Sequence, residues 1–385
     1  MKARVGIVAA EPSGDLLGAG LIRALRARDP DIHFEGIGGP QMIEEGCESW
    51  FPMERLSVMG LVEVLRHLPE LVRIRRALRD RWRTSPPHLY IGVDAPDFNL
   101  GLARRLRAAG VPTVQYVSPT VWAWRQGRVR SLRRATDLVL CVYPFEEDFL
   151  CRHGVEARYV GHPLAAEIAH ESDPGPARER LGLPVEGPVL AVLPGSRLSE
   201  VERLSVPFID AARLCVDRQP GLRLVSPFVN DTTRQRFAAT LQARAPGLAW
   251  TLVDRASRDA MAAADVVLTA SGTATLEALL VGRPMVVGYR VHALSYRLVR
   301  ALRLVKVPFI AMANLLAEEG LAPELVQDEC TPPALAAAVL QFLADPVRRA
   351  EVQRRYRAIG EGLKRDTGRQ AALAVLELLS ARHRA

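Results

Sequence analysis

Asp265 to Tyr289 reads DVVLTASGTATLEALLVGRPMVVGY, and this stretch decides the fold. Val266-Val267-Leu268 is a short apolar run of strand type. The small residues Ser271-Gly272-Thr273-Ala274 follow it, then an apolar helical stretch that carries Glu277 near its first turn. Gly282 sits where a helix C-cap glycine belongs, Pro284 ends the helix, and Met285-Val286-Val287 reads as a second buried strand. The pattern is a βαβ unit. A small-residue loop that opens a helix presents free backbone N–H groups and a favourable dipole to an anion such as phosphate. Thr273 and Thr275 add hydroxyls, and the Glu277 carboxylate can accept from the two hydroxyls of a ribose. The plainer reading is a capped helix in an ordinary α/β domain, and the loop alone does not choose between the two.

The same alternation extends in both directions. Val189 to Leu193 is a strand that leads to PGSR, and Glu200 to Arg218 is helical. Strands over 222–229 and 249–253 alternate with helices over 235–245 and 258–263, and a further helix is expected over Leu294 to Leu304. In the first half, strands are expected at Val5–Ala9, Glu35–Gly39, Leu89–Val93, Thr113–Val117 and Leu138–Val142. Helices follow EPSGD, cover Leu56 to Trp82 with a break near Pro69, and cover Asn99 to Ala109. Ala169 to Ala177 contains HESDPGPA, whose prolines and glycine mark a linker or hinge. From Pro333 the chain is helical, with breaks near Pro346 and Gly360. The fold class is therefore α/β, with two Rossmann-like doubly wound domains that face each other across a cleft, and C-terminal helices. The expected divisions are 1–168, 178–345 and 346–385. The last segment packs either on the N-terminal domain or on a partner subunit, so a homodimer is one of two expectations.

Composition narrows the class. A chain of 385 residues fits about two domains. A hydrophobic content of 49% is globular. No apolar run approaches the ~20 residues a membrane span requires. The opening run stops at Glu11 and Asp15, too soon for a signal peptide. The five cysteines are odd in number, widely spaced and lack a CxxC pattern, which suits a reducing cytoplasm and offers no metal site. The net charge of +8 is nearly all arginine and fits an anionic substrate, an anionic membrane surface or nucleic acid.

Candidate chemistry clusters after strands. Gly195-Ser196-Arg197 lies between a strand and a helix, with a glycine for close backbone approach and a guanidinium suited to a diphosphate. A surface arginine at a turn is the simpler reading, and the SGTAT loop at the same sheet edge favours the phosphate. Neither GxxxxGK[ST] nor a GxGxxG after a first strand occurs, which disfavours kinase-type P-loops and standard dinucleotide sites. Glu11, Ser13 and Gly14 of EPSGD face the cleft in one reading, where they would hold an acceptor; in the other, Ser13 caps the helix. Asp94 ends a strand, where a doubly wound sheet places a general base; in the plainer reading Asp94 only forms the turn and Asp97 or Asn99 N-caps the next helix. The acids form no DxD, so no metal is required. The segment 66–83 carries seven arginines interleaved with apolar residues and reads as a basic helix able to lie on an anionic bilayer, or as a helix with a solvated basic face. The run around Trp122, Trp124 and Arg125 is basic and aromatic but lacks any recognised nucleic-acid-binding pattern.

Seven motifs in order, AEPSGDLLGAGLIRAL, SVMGLVEVL, GVDAPDFN, YVSPTVWAWRQGR, LPGSR, SGTATLEALL and PMVVGYR, together resemble the lipid-A-disaccharide synthase family from about Val5 to Cys330. The resemblance implies an inverting, metal-independent glycosyltransferase of GT-B fold with no cofactor. It would join UDP-2,3-diacylglucosamine to 2,3-diacylglucosamine 1-phosphate, give the disaccharide 1-phosphate and UDP, and work peripherally on the anionic inner face of a Gram-negative inner membrane, with no nucleic acid involved. It implies Asp94 as base, Arg197 on the UDP diphosphate, Ser13 with Glu11 on the acceptor side, and Asn314 in a segment that relatives write LPNLL. Here that segment reads MANLL, with Ala313 for proline, and GHPLAAE carries Ala166 where relatives carry an acid. Rival readings are a UDP-N-acetylglucosamine 2-epimerase, another GT-B transferase on a lipid-linked acceptor, or a non-catalytic membrane- or RNA-binding protein.

Overall fold

The computed structural model describes residues 3–56, 61–123, 126–170, 173–291 and 307–383. The expected helix over 294–304 lies outside these residues, as do the first four residues of SVMGLVEVL, Trp124 and Arg125 of WAWR, and Glu171 and Ser172 of the linker. The chain forms two compact units, Met1–Ala166 with Leu363–Ala385, and Glu167–Gly362.

The first unit is built as β1 (Arg4–Ala9), α1 (Pro12–Arg26), β2 (His33–Ile37), α2 (Pro40–Glu44), β3 (Cys47–Ser49), α3 (Leu61–Thr84), β4 (Leu89–Val93), α4 (Pro96–Ala108), β5 (Thr113–Tyr116), α5 (Val129–Ala135), β6 (Leu138–Cys141), α6 (Pro144–Arg152), β7 (Ala157–Tyr159) and α7 (Pro163–Glu167). Its sheet is parallel, in the order β3-β2-β1-β4-β5-β6-β7. Strands such as LYIGV are buried along their whole length, as expected where helices cover both faces of a parallel sheet.

The second unit contains α8 (Gly175–Arg180), β8 (Val189–Leu193), α9 (Leu198–Arg218), β9 (Arg223–Phe228), α10 (Asp231–Arg244), β10 (Thr251–Asp254), α11 (Ser257–Ala263), β11 (Val266–Ala270), α12 (Thr273–Val281), β12 (Met285–Tyr289), α13 (Met312–Ala317) and β13 (Glu324–Val326). These strands are also parallel, in the order β10-β9-β8-β11-β12-β13. Gly282 closes α12 in the left-handed conformation. The chain then runs through α14 (Pro332–Ala344), which packs on α9, and α15 (Pro346–Leu363) to α16 (Thr367–His383), which lies along α1 in the first unit. The α1–α16 approach is close enough that a Cβ on Gly368 would stand 2.6 Å from the Gly20 carbonyl oxygen.

Three local expectations are corrected. Pro69 lies inside α3 and does not break it. A proline costs a helix one backbone bond, and the burial of Ile74, Leu78 and Trp82 farther along α3 holds the element against the sheet. Gly360 lies inside α15, which continues to Leu363, while the break before Pro346 is present and Asp345 Oδ1 accepts from the Arg348 N–H at 2.8 Å. Neither Asp97 nor Asn99 caps α4, and Ser13 does not cap α1: the cap positions are Ala95 and Glu11, and in both helices a proline fills the first position, whose missing N–H needs no partner.

Candidate functional site

In each sheet the strand order reverses once between two central strands, and ligands of doubly wound sheets collect at that reversal. In the first unit it falls between β1 and β4, paired Ala9 to Val93. EPSGD leaves one strand and Asp94 ends the other. In the second unit it falls between β8 and β11, paired Leu193 to Thr269. LPGSR leaves one and SGTAT the other. The four candidate motifs thus form two pairs, one at each switch point.

Asp94 and Ala95 both adopt positive φ, 53° and 38°, and Val117 on the next strand's exit has 71°. Left-handed conformations in non-glycine residues cost about 1–3 kcal/mol each and persist only where surroundings enforce them. Two buried amides do so. Asn99 Nδ2 donates to the Asp94 carbonyl at 2.9 Å and Gln115 Nε2 donates to the same oxygen at 3.0 Å. The Tyr90 hydroxyl fixes Asn99 by donating to its Oδ1 at 2.9 Å. The half-buried Asp94 carboxyl is held above its ordinary pKa by burial, opposed by a backbone N–H at Ala95. That environment suits a proton acceptor working near neutral pH. Asp97 is exposed and paired with Arg128.

Within EPSGD, Ser13 is exposed and Gly14 is buried against β4, where a Cβ would meet only ordinary contacts at 3.6 Å. Glu11 is half-buried at the helix cap. The fixed residue of the motif is Asp15. Its buried carboxylate accepts from the N–H groups of Gly39 at 2.9 Å, Gln41 at 3.0 Å and Met42 at 3.0 Å, tying α1 to the start of α2.

In the second unit, Gly195 has φ +117°, and a Cβ there would stand 2.6 Å from that of Glu200. Glu200 folds back so that its Oε2 accepts from the N–H groups of Ser196 and Arg197, each at 3.2 Å. Those two amides have a carboxylate partner in Glu200, and beside them stands the Arg197 guanidinium. It is 68% exposed and only loosely paired to Glu200 at 3.5 Å. On the neighbouring strand, Thr273 is exposed and Ala274 half-buried in the first turn of α12, where helix geometry leaves N–H groups without carbonyl partners. Glu277 is half-buried and held above its ordinary pKa by burial, opposed by the nearby Arg258.

Ser271, Thr275 and Asn314 tie the loop to the segment around Ile310. Ser271 Oγ donates to the Ile310 carbonyl at 3.0 Å, and the fully buried Thr275 Oγ1 accepts from the Met312 N–H at 3.1 Å. Glu324 accepts from the N–H groups of Ile310 and Ala311, both at 2.9 Å, and from Asn314 Nδ2 at 2.8 Å. Asn314 is itself buried, and its amide also exchanges two 2.8 Å bonds with the backbone of Ala322. Asn314 therefore belongs to the second unit, where it braces the SGTAT loop from below. Ala313 occupies the second position of α13, where a proline would also fit without loss of a helical bond, so the departure from LPNLL leaves the backbone unaffected.

Several of these groups carried no signal in the motif reading. Gln115 did carry one: a glutamine inside the apolar strand TVQY must find partners when buried. Glu146 is another. It is 1% exposed and accepts from Trp122 Nε1 at 3.0 Å and from the N–H groups of Val142 and Tyr143, each at 3.1 Å, so it fastens the SPTVW loop to the end of β6. Burial pushes its pKa up to about 7 against these three bonds.

Two doubly wound units, each with paired loops at its switch point, define the class: this is the architecture of GT-B glycosyltransferases. Solved structures share it across nearly the whole chain. The Anabaena protein HepE, determined with UDP and glucose, is 15% identical, with 98% of this chain and 100% of that chain covered at a TM-score of 0.56. A glycosyltransferase from Rickettsia africae is 10% identical with a TM-score of 0.60, covering 99% and 98%. A UDP-GlcNAc 2-epimerase from Neisseria meningitidis, bound to UDP-GlcNAc, is 10% identical with a TM-score of 0.56, covering 99% and 100%.

The family follows from sequence. The family model described as lipid-A-disaccharide synthetase matches residues 5–378. Lipid-A-disaccharide synthase of Pseudomonas aeruginosa is 54% identical over 379 residues, 98% of this chain and 99% of that protein, and that of Xanthomonas campestris is 50% identical over 380 residues, 98% and 87%. The chain belongs to the lipid-A-disaccharide synthase family and is a glycosyltransferase of lipid A biosynthesis. Among the described residues, no helix is long and apolar enough to cross a membrane.

Proposed function

We propose that the chain transfers 2,3-diacylglucosamine from its UDP carrier to the 6-hydroxyl of 2,3-diacylglucosamine 1-phosphate, with inversion and release of UDP. Asp94 takes the proton of the attacking hydroxyl as the new C–O bond forms and the anomeric C–O bond to the diphosphate breaks. The leaving diphosphate carries the departing electron pair, and Arg197 with the first turn of α12 at Gly272-Thr273-Ala274 stabilises it. Glu277 accepts from the ribose hydroxyls. Glu11, Ser13 and Gly14 hold the acceptor beside Asp94. The observation that carries this reading is the Asp94–Ala95 turn, a strained segment at the strand end with a burial-raised carboxyl, braced by Asn99 and Gln115. The enzyme works on the anionic inner face of the inner membrane, with the basic helix of 66–83 as the attracting element, and a homodimer is the assembly proposed with it.

Mass spectrometry of the product from defined donor and acceptor tests the reading. A disaccharide monophosphate with equimolar UDP is expected. UDP release or sugar epimerisation in the absence of acceptor would count against it.

A further inference from the structure

One turn into α12, the half-buried Glu277 carboxylate receives neither a hydrogen bond nor an ion pair among the described residues. Such a group has lost much of its hydration and brings acceptors alone, so a partner with O–H or N–H groups is what completes it. The cation that acts on it is Arg258, in the first turn of α11, the helix packed beside α12. Its charge opposes the effect of burial on Glu277. Yet the two side chains do not pair. Arg258 Nη2 donates instead to Glu167 Oε2 at 3.1 Å, and Glu167 is the residue at which the second unit begins. The acid next to Arg258 in the chain, Asp259, is taken by Arg180, whose Nε and Nη2 donate to its Oδ1 at 3.0 and 2.7 Å. Glu167 is thus the tether of Arg258, and both Glu277 oxygens stay open.

We infer that Arg258 is a positioning residue for the donor nucleotide: tethered by Glu167, it supports the negative charge of Glu277 and leaves both carboxylate oxygens open to the ribose hydroxyls. The inference rests on the ribose reading of Glu277. A direct Arg–Glu ion pair at this place would satisfy the carboxylate and compete with the ligand. A half-buried carboxylate with no cation near it would instead favour its protonated form and lose acceptor capacity. An arginine held at a distance by a second acid avoids both outcomes. Arginine suits the task because its guanidinium stays charged and can bond to Glu167 while its field reaches Glu277.

Calorimetric titration of the full chain with UDP and with 2′,3′-dideoxy-UDP, which lacks both ribose hydroxyls, tests it. Wild type should prefer UDP by about 10-fold or more, the scale of charge-assisted hydrogen bonds. Arg258→Met should abolish most of that preference, with UDP weakened about 10-fold and the dideoxy nucleotide changed by less than about twofold. Arg258→Lys should restore part of it, because a cation returns to the same place. Arg258→Met combined with Glu277→Gln should cost no more than Glu277→Gln alone, since the two act through one contact. Equal weakening of both nucleotides by Arg258→Met, or no weakening, overturns the inference and leaves Arg258 a structural partner of Glu167. Should Arg258→Met misfold, Glu167→Gln carries the test. Without its tether Arg258 closes on Glu277, and the preference for UDP should fall; an unchanged preference overturns the inference. Wild type that binds the two nucleotides equally, or Glu277→Gln that keeps the full preference, removes the ribose reading itself and the inference with it.

Discussion

Asn99 Nδ2 donates to the carbonyl of Asp94 at 2.9 Å, and with it a buried amide holds the proposed catalytic carboxylate in a left-handed turn. Gln115 reaches the same oxygen from the next strand. The geometry of the base is thus set by two side chains that touch only its backbone.

Gln115→Leu should therefore lower kcat by about 10- to 100-fold, because small displacements of a positioned group are costly to rate. UDP affinity, read by calorimetry, should stay within about twofold. A variant with normal kcat would show that the turn holds without Gln115.

Asp94→Asn should cut turnover by about 10²–10⁴ while UDP still binds. The wild-type acid limb tells the same story with a sign. The base must be ionised, and burial raises its pKa, so log(kcat/KM) should climb with pH through a midpoint above the ordinary carboxylate range. Stopped-time assays across pH 4–8 check this, and a midpoint at or below about 4 would point to a different group.

Arg197→Ala should weaken UDP binding by about 10- to 100-fold, the range of charge-assisted hydrogen bonds, and Arg197→Lys should recover only part because a bidentate fork is lost. Titration calorimetry with UDP checks both.

Asn314→Ala should destabilise the second unit by about 2–3 kcal/mol, since it removes the partner of the buried Ala322 N–H and one of the three bonds that Glu324 accepts. Denaturant unfolding measures the loss. Because the same network holds Ile310 beneath Ser271, KM for the donor should rise more than KM for the acceptor.

Glu146 predicts a pH-linked stability. Its folded pKa of about 7 exceeds the unfolded value near 4.5, so its contribution is full below 4.5 and is lost as pH rises through 7. The stability of wild type relative to Glu146→Gln should accordingly be greater at pH 5 than at pH 8. Urea titrations at the two pH values measure the difference; an unchanged gap would mean the carboxyl is ionised throughout.

Much of the architecture was legible because the strands of a parallel sheet are apolar on both faces and stand out between helices, as VVLTA and LYIGV do. Short edge strands were not: Cys47–Ser49, Ala157–Tyr159 and Glu324–Val326 are too brief and mixed to show a period. Motif loops were legible as motifs, yet their individual roles were not. Thr275 and Asn314 look like ligand-binding polar residues in sequence, and only tertiary contacts show them turned inward to backbone partners. Asp15 shows the same limit, since its three amide partners lie 24 to 27 residues away. Proline in α3 and glycine in α15 misled for the converse reason, because packing of the surrounding helix outweighed a local cost of about 1–3 kcal/mol.

The most direct test of the central claim is a single-turnover experiment with Asp94→Asn, UDP-2,3-diacylglucosamine and 2,3-diacylglucosamine 1-phosphate, followed by mass spectrometry. The account predicts bound donor, a disaccharide monophosphate formed at least about 100-fold more slowly than by wild type, and no epimerised or hydrolysed sugar. Disaccharide formed at the wild-type rate would contradict it.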